Sequence, residues 1–344
     1  MKLLRNSAFL LLGGMAFAAA LPALELVFKV DEKTKLTKTF IDDASFSTTD
    51  FRIEIDGTEI EGENLPKISI DVTNKTTVTV TDEYVKMAEG RPALLKRSFD
   101  KLSGESKEKV NMPEGAGGGD QEQDTKRESK LEGQTVLFTW DAKAEEYNAT
   151  YDESSKDGDA DLLLDLREDM DLRGFLPEKA VSEGDSWELT GRVIFENVGI
   201  PGGDMHIDSE DDDPEERPTM STQMLENCEG KGSATFVEER EVDGRKLAVI
   251  KITGAVKSNG SVPMKNPEGA PPMERSRKIV VAYECEGELL WDPKAGHFVS
   301  CELLSQVKMT LRMSSEGEMP DGNSHSVDQV FEFEGEAKFS ASVE

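Results

Sequence analysis

The stretch DGDADLLLDLRED, residues 157–169, is the sharpest chemical signal in the chain. Asp157, Asp159, Asp161, Asp165 and Glu168 fall at positions 1, 3, 5, 9 and 12 of a calcium loop, where carboxylate oxygens would coordinate the ion. Such a loop turns sharply on a glycine at its sixth position, and Leu162 stands there. A second reading fits the residues better. Asp159 or Asp161 caps a helix, and further acids sit near its positive end. Leu162, Leu163, Leu166 and Met170 form its apolar stripe, and Gly174 and Pro177 stop it. The helix-cap reading is preferred, and calcium is the alternative. The acidic run from Asp208 to Asp213 is a weaker cation candidate.

Other chemistries lack their residues. The three cysteines, Cys228, Cys285 and Cys301, form no CxxC pair, and the three histidines are scattered, so no zinc site is expected. No nucleophile elbow, phosphate loop, dinucleotide fingerprint or HExxH is present. Ser305 and Lys308 match S-x-x-K, but strand alternation sends Ser305 inward and Lys308 outward. Paired carboxylates of a hydrolase remain open, because 70 acidic residues allow many pairs. Cys285 and Cys301 lie symmetrically about Pro293, with both side chains on the expected buried face. A cross-strand disulfide between them is one expectation, and two buried thiols are the other.

The elements that must position these residues are mostly strands. Period-two alternation places Leu36, Phe40, Ala44 and Phe46 on one face, and Phe51, Ile53 and Ile55 on another. Val136, Phe138 and Trp140 align, as do Trp187, Leu189, Val193 and Phe195. The last third is more regular still, with three long runs around Ile279–Trp291, Val299–Met313 and Val327–Val343. Asp243-Gly244 is a favoured two-residue hairpin turn. Asp292-Pro293-Lys294-Ala295-Gly296 is a second turn, with Gly296 suited to a left-handed end. The expected fold is all-β and mainly antiparallel. It is a long-stranded meander curled into a half-barrel or sandwich, with one short helix near 161–173. Polar stretches at 113–130, 199–218, 257–276 and 314–326 read as loops of a single β domain spanning 24–344.

Lys2 and Arg5, an apolar run from Ala8 to Phe17, and Ala18-Ala19-Ala20 have the pattern of a secretory signal peptide over 1–20. No later segment is apolar enough to span a membrane as a helix. The net charge of −30 repels nucleic acid and anionic lipid headgroups. With aromatics at 6 %, a sugar-stacking cleft is not indicated, and neither are the aromatic girdles of an outer-membrane barrel.

The segment DLRGFLPEKAVSEGDSWELTG, residues 171–191, resembles the LPE-x-x-V-x-x-GDSW segment of uncharacterised secreted proteins from planctomycete-type bacteria. VTVTDEYVKMAEGRPALLKRSFDKLSG and GQTVLFTWD fit the same group. The resemblance implies an exported compartment, periplasmic or extracellular, and carries no activity. The expected function is a non-catalytic envelope protein that binds an apolar small molecule or another envelope protein, or has a structural role. A secreted hydrolase using paired carboxylates and a calcium-assisted interaction protein are the alternatives.

Overall fold

The computed structural model describes residues 23–60, 68–111, 121–207, 217–266, 273–318 and 324–344. The expected signal segment 1–20 and the acidic run 208–213 lie outside the described residues.

The turn chemistry acts as expected. Asp243 and Gly244 both adopt positive φ, 51° and 76°, which matches the twist of the strands they join. At the second turn Gly296 takes φ 75°, while Asp292 accepts hydrogen bonds from the Lys294 and Ala295 amides. Between such turns the alternation runs on with only local bulges, so the strands are long. In chain order they are β1 (Lys35–Ile55), β2 (Thr58–Glu59), β3 (Ser69–Ala88), β4 (Arg91–Asn111), β5 (Gln121–Glu128), β6 (Thr135–Asp141) and β7 (Glu146–Tyr151). There follow β8 (Ser186–Thr190), β9 (Glu229–Val242), β10 (Arg245–Pro263), β11 (Glu274–Asp292), β12 (His297–Glu318) and β13 (Ser324–Val343).

All thirteen belong to one antiparallel sheet, whose main path runs β7-β6-β4-β3-β1-β13-β12-β11-β10-β9-β8. The pairing of β1 with β13 joins two meanders, one from each end of the chain. β7 and β8 end the path without pairing with each other, so the sheet is open. Its outer face carries charge, with cross-strand pairs such as Lys308–Glu334 at 3.0 Å. Its inner face is apolar, and one core cluster reaches from Phe138 in β6 through Phe40 and Leu303 to Leu189 in β8.

Two stretches cover part of that face. Residues 24–30 run extended, with Leu26, Phe28 and Val30 buried. Residues 152–207 carry short 3₁₀ turns, β8 and helix α1 (Gly191–Asn197). A second helix, α2 (Arg217–Glu226), packs on β10.

Three local expectations change, and the cysteine pair follows one of its two readings. The helix over 161–173 is two separate 3₁₀ turns, Ala160–Leu163 and Arg173–Phe175. Asp165 and Leu172 between them have φ 62° and 56°, which no right-handed helix contains. The backbone bonds go elsewhere: the Arg167 amide donates to Gly202 O at 2.8 Å. Leu162, Leu163 and Leu166 still pack against the core. The run SWELTGRVIF is not one strand, because Thr190 accepts from the Val193 amide and starts α1. A Cβ on Gly191 would stand 2.9 Å from Gly230 backbone, so the chain turns where only glycine fits. Three of the polar loops are shorter than expected. Residues 121–128 form β5 against β4, and β10 to β13 extend into the stretches 257–276 and 314–326. Finally, Cys285 faces Ser305 while Cys301 faces Leu289, and both thiols are free. The five-residue turn and a bulge at Leu290/Trp291 set the register away from symmetry about Pro293, so of the two readings the cysteines follow that of two buried thiols.

Candidate functional site

Among the described residues, fully buried charges interrupt the inner faces of three neighbouring strands. Lys38 lies between Leu36 and Phe40 on β1, Asp82 between Val80 and Tyr84 on β3, and Arg97 between Leu95 and Phe99 on β4. All three are completely buried. Arg97 stands directly opposite Asp82 and grips it with two bonds, at 2.7 and 2.8 Å. Lys38 Nζ donates to Asp82 at 2.8 Å, to the Tyr84 hydroxyl at 2.8 Å and to Asp171 at 2.5 Å. The Tyr84 hydroxyl donates to the same Asp171 oxygen at 2.6 Å. Arg97 also donates to the carbonyls of Arg167 and Glu168, at 3.0 and 2.8 Å. Arg173 donates to Glu168 through one nitrogen and pairs with Asp169 through another at 3.0 Å.

This network pins the acidic stretch onto the sheet. Lys38, Arg97 and Arg173 balance Asp82, Glu168 and Asp171, as burial of ions demands. Desolvation pushes Asp82 up, but Arg97 and Lys38 outweigh it and hold the carboxyl at about 2. For Glu168 desolvation wins over the opposing Arg173, and Asp169 and Asp171 add to it, so its carboxyl is pushed up to about 7. Burial drives the Tyr84 hydroxyl well above the usual tyrosine range, and neighbouring Asp171 adds to the effect. Glu168 Oε1 and Asp171 Oδ2 are buried without a hydrogen-bond partner. Lys38, Asp82, Arg97 and Asp171 are sealed from solvent, and they tie the segment 167–171 to the sheet.

The residues on the other side of the same stretch face a cleft of about 970 Å³, formed with α1, α2 and residues 200–207. Asp165, Arg167 and Asp169 line it, while Glu168 and Met170 to Leu172 point into the interior. Two of its acids are engaged by arginines: Glu196 accepts from Arg167 at 2.5 Å and from Arg192 at 3.0 Å, and Asp169 pairs with Arg173. Phe195, Ile200, Ile207 and Met224 give it an apolar side. Phe195 and Met224 also pack on a second cluster of inner-face residues, Ala44, Val281, Val307 and Ala337. The cleft therefore opens onto the sheet's inner face. Nearby on that face, burial and the adjacent Asp43 push Asp42 up to about 6, against the pull of Arg127.

The expected calcium ligands do not converge. Asp159 accepts from the Asp161 amide at 3.1 Å and caps the first 3₁₀ turn. Asp165 faces the cleft, and Glu168 is turned inward onto Arg173. Asp157 is exposed. Among the described residues no group of three or more His, Cys, Asp or Glu is arranged to hold a metal. Ser305 is buried and Lys308 exposed to Glu334, so that pair stays separated. Trp187 is half-buried, and its indole donates to Phe175 O at 3.0 Å.

Sequence reasoning missed Lys38, Asp82, Arg97, Asp171 and Arg173. The signal was available for the first three, because each is a charge at an inward position of an apolar alternation. A scan of protein-family profiles finds no match to this chain, and a search of curated proteins finds none.

Proposed function

We propose that the protein is an exported, non-catalytic binding protein of the cell envelope, which holds an apolar small molecule in the cleft beside residues 165–169. One observation carries the reading: the cleft's apolar side, through Phe195 and Met224, is continuous with the apolar inner face of a long-stranded open sheet. Ligand sites of this size are mostly apolar with a few placed polar groups. Arg167 and Arg192 on Glu196 supply such groups at the mouth. The same pairs weaken the hydrolase alternative, since Glu196 and Asp169 are neutralised by arginines rather than paired with each other. Export rests on the first twenty residues, and the acidic surface suits a soluble envelope component.

Native mass spectrometry of the purified protein should show a co-purified apolar ligand or binding of an added fatty acid. Ile200→Glu, which puts a charge on the cleft wall, should weaken fatty-acid binding by about tenfold or more, for a loss of roughly 1.5 kcal/mol. Unchanged affinity in that variant would count against the cleft.

A further inference from the structure

The two ends of the sheet are finished differently. β7 is overlaid by the segment after it, where the Tyr151 hydroxyl donates to Asp159 O at 2.8 Å and the Ala160–Leu163 turn packs on the strand. β8, at the other end, pairs only with β9 among the described residues. Along it runs an open groove of about 580 Å³. Inward-facing Trp187 and outward-facing Glu188 both border this groove, so it follows the strand's edge rather than one face. Its opposite wall is the segment from Gly174 to Val181, where half-buried Leu176 presents apolar surface. The Trp187 indole, bonded to Phe175 O, ties the two walls together.

The wall opposite β8 already pairs with extended chain at Val181. Leu24 and Val181 form an antiparallel bridge, with Leu24 N to Val181 O at 2.7 Å and Val181 N to Leu24 O at 2.9 Å. The groove is also charged in one sense: Glu178, Asp185 and Glu188 border it against a single Lys179, in a chain of net charge −30.

We infer that β8 is a docking edge for a protein partner, which adds a short extended segment with alternating apolar and basic residues as a further antiparallel strand. Backbone bonds to β8 supply affinity, Trp187 and Leu176 receive the apolar side chains, and the carboxylates select the basic ones. The five-residue length of β8 and its outward Glu188 keep the edge from pairing with another copy of itself. The site is separate from the proposed ligand cleft.

The test uses a fluorescein-labelled seven-residue peptide alternating Val and Lys, followed by fluorescence anisotropy against the purified protein. Two control peptides alternate Val with Glu, or carry a central Pro. The Val-Lys peptide should bind, and hydrogen exchange should slow at the Ser186–Thr190 amides. Glu188→Lys, an exposed substitution, should weaken that binding roughly tenfold and improve binding of the Val-Glu peptide, whereas Glu241→Lys, towards the end of β9 that does not pair with β8, should do neither. The Pro peptide should lose binding in every background. Failure of the Val-Lys peptide to bind, equal binding of the Pro peptide, equal effects of Glu188→Lys and Glu241→Lys, or unchanged exchange across Ser186–Thr190 would each overturn the inference.

Discussion

At the scale of single residues, the buried ionic cluster dominates. Lys38, Arg97 and Tyr84 meet Asp82 and Asp171 without solvent to compensate them, so removing one charged member leaves an uncompensated ion. Asp82→Ala should cost about 3–5 kcal/mol in urea unfolding, while Lys308→Ala, an exposed pair member, should cost less than about 1 kcal/mol. Glu168 gives a signed pH dependence. Its carboxyl is raised in the fold from 4.5 to about 7, so the folded state favours the protonated form. Its favourable contribution is complete below pH 4.5 and is lost as pH rises towards about 7. Asp42 acts in the same direction between 3.8 and about 6. Asp82 acts oppositely, because its depressed carboxyl contributes stability above pH 3.8 that is lost as pH falls to about 2. Glu168→Gln should flatten the decline in melting temperature between pH 5 and 7, and an unchanged slope would assign that decline to other groups. The charges of β1, β3 and β4 were legible as interruptions of a periodic apolar face. Their partners Asp171 and Arg173 were not, because an irregular segment has no period to interrupt.

At the scale of elements, the strands followed from alternation and turns, and the exceptions have local causes. Leucine-rich 161–173 has helical periodicity, yet its backbone pairs with residues 202–204, Arg97 holds the Arg167 and Glu168 carbonyls, and Arg173 draws in Glu168 and Asp169. Tertiary bonds overrode a weak propensity. The Asp292–Gly296 hairpin shows a second limit. Alternation correctly places Cys285 and Cys301 inside, but register depends on turn length and a bulge that alternation does not encode. Burial raises the Cys285 thiol to about 11 and pushes Cys301 further in the same direction. In the native protein without reductant, a thiol reagent should therefore react with Cys228 first, and after unfolding all three cysteines should react. Recovery of only one thiol after unfolding would restore the disulfide.

At the scale of the whole molecule, the acidic surface and the absence of converging ligands bear on the calcium alternative together. The five acids of 157–168 are divided between solvent, a turn cap, the cleft and the buried cluster. Millimolar calcium should therefore leave the melting temperature of the purified protein unchanged apart from the effect of ionic strength, which a matched sodium chloride control reads out. A calcium-specific rise would return the ion to the account. By itself the sequence determined the antiparallel β class, the strand faces and the principal hairpin turns, because period two and turn chemistry are local properties. Only the tertiary structure decided that β1 and β13 join two meanders into an open sheet, and that DGDADLLLDLRED becomes a partition between a buried ionic strut and a cleft. Those outcomes depend on which distant charges meet where water is excluded. The energy of such meetings is set by burial and register, which no stretch of neighbouring residues carries.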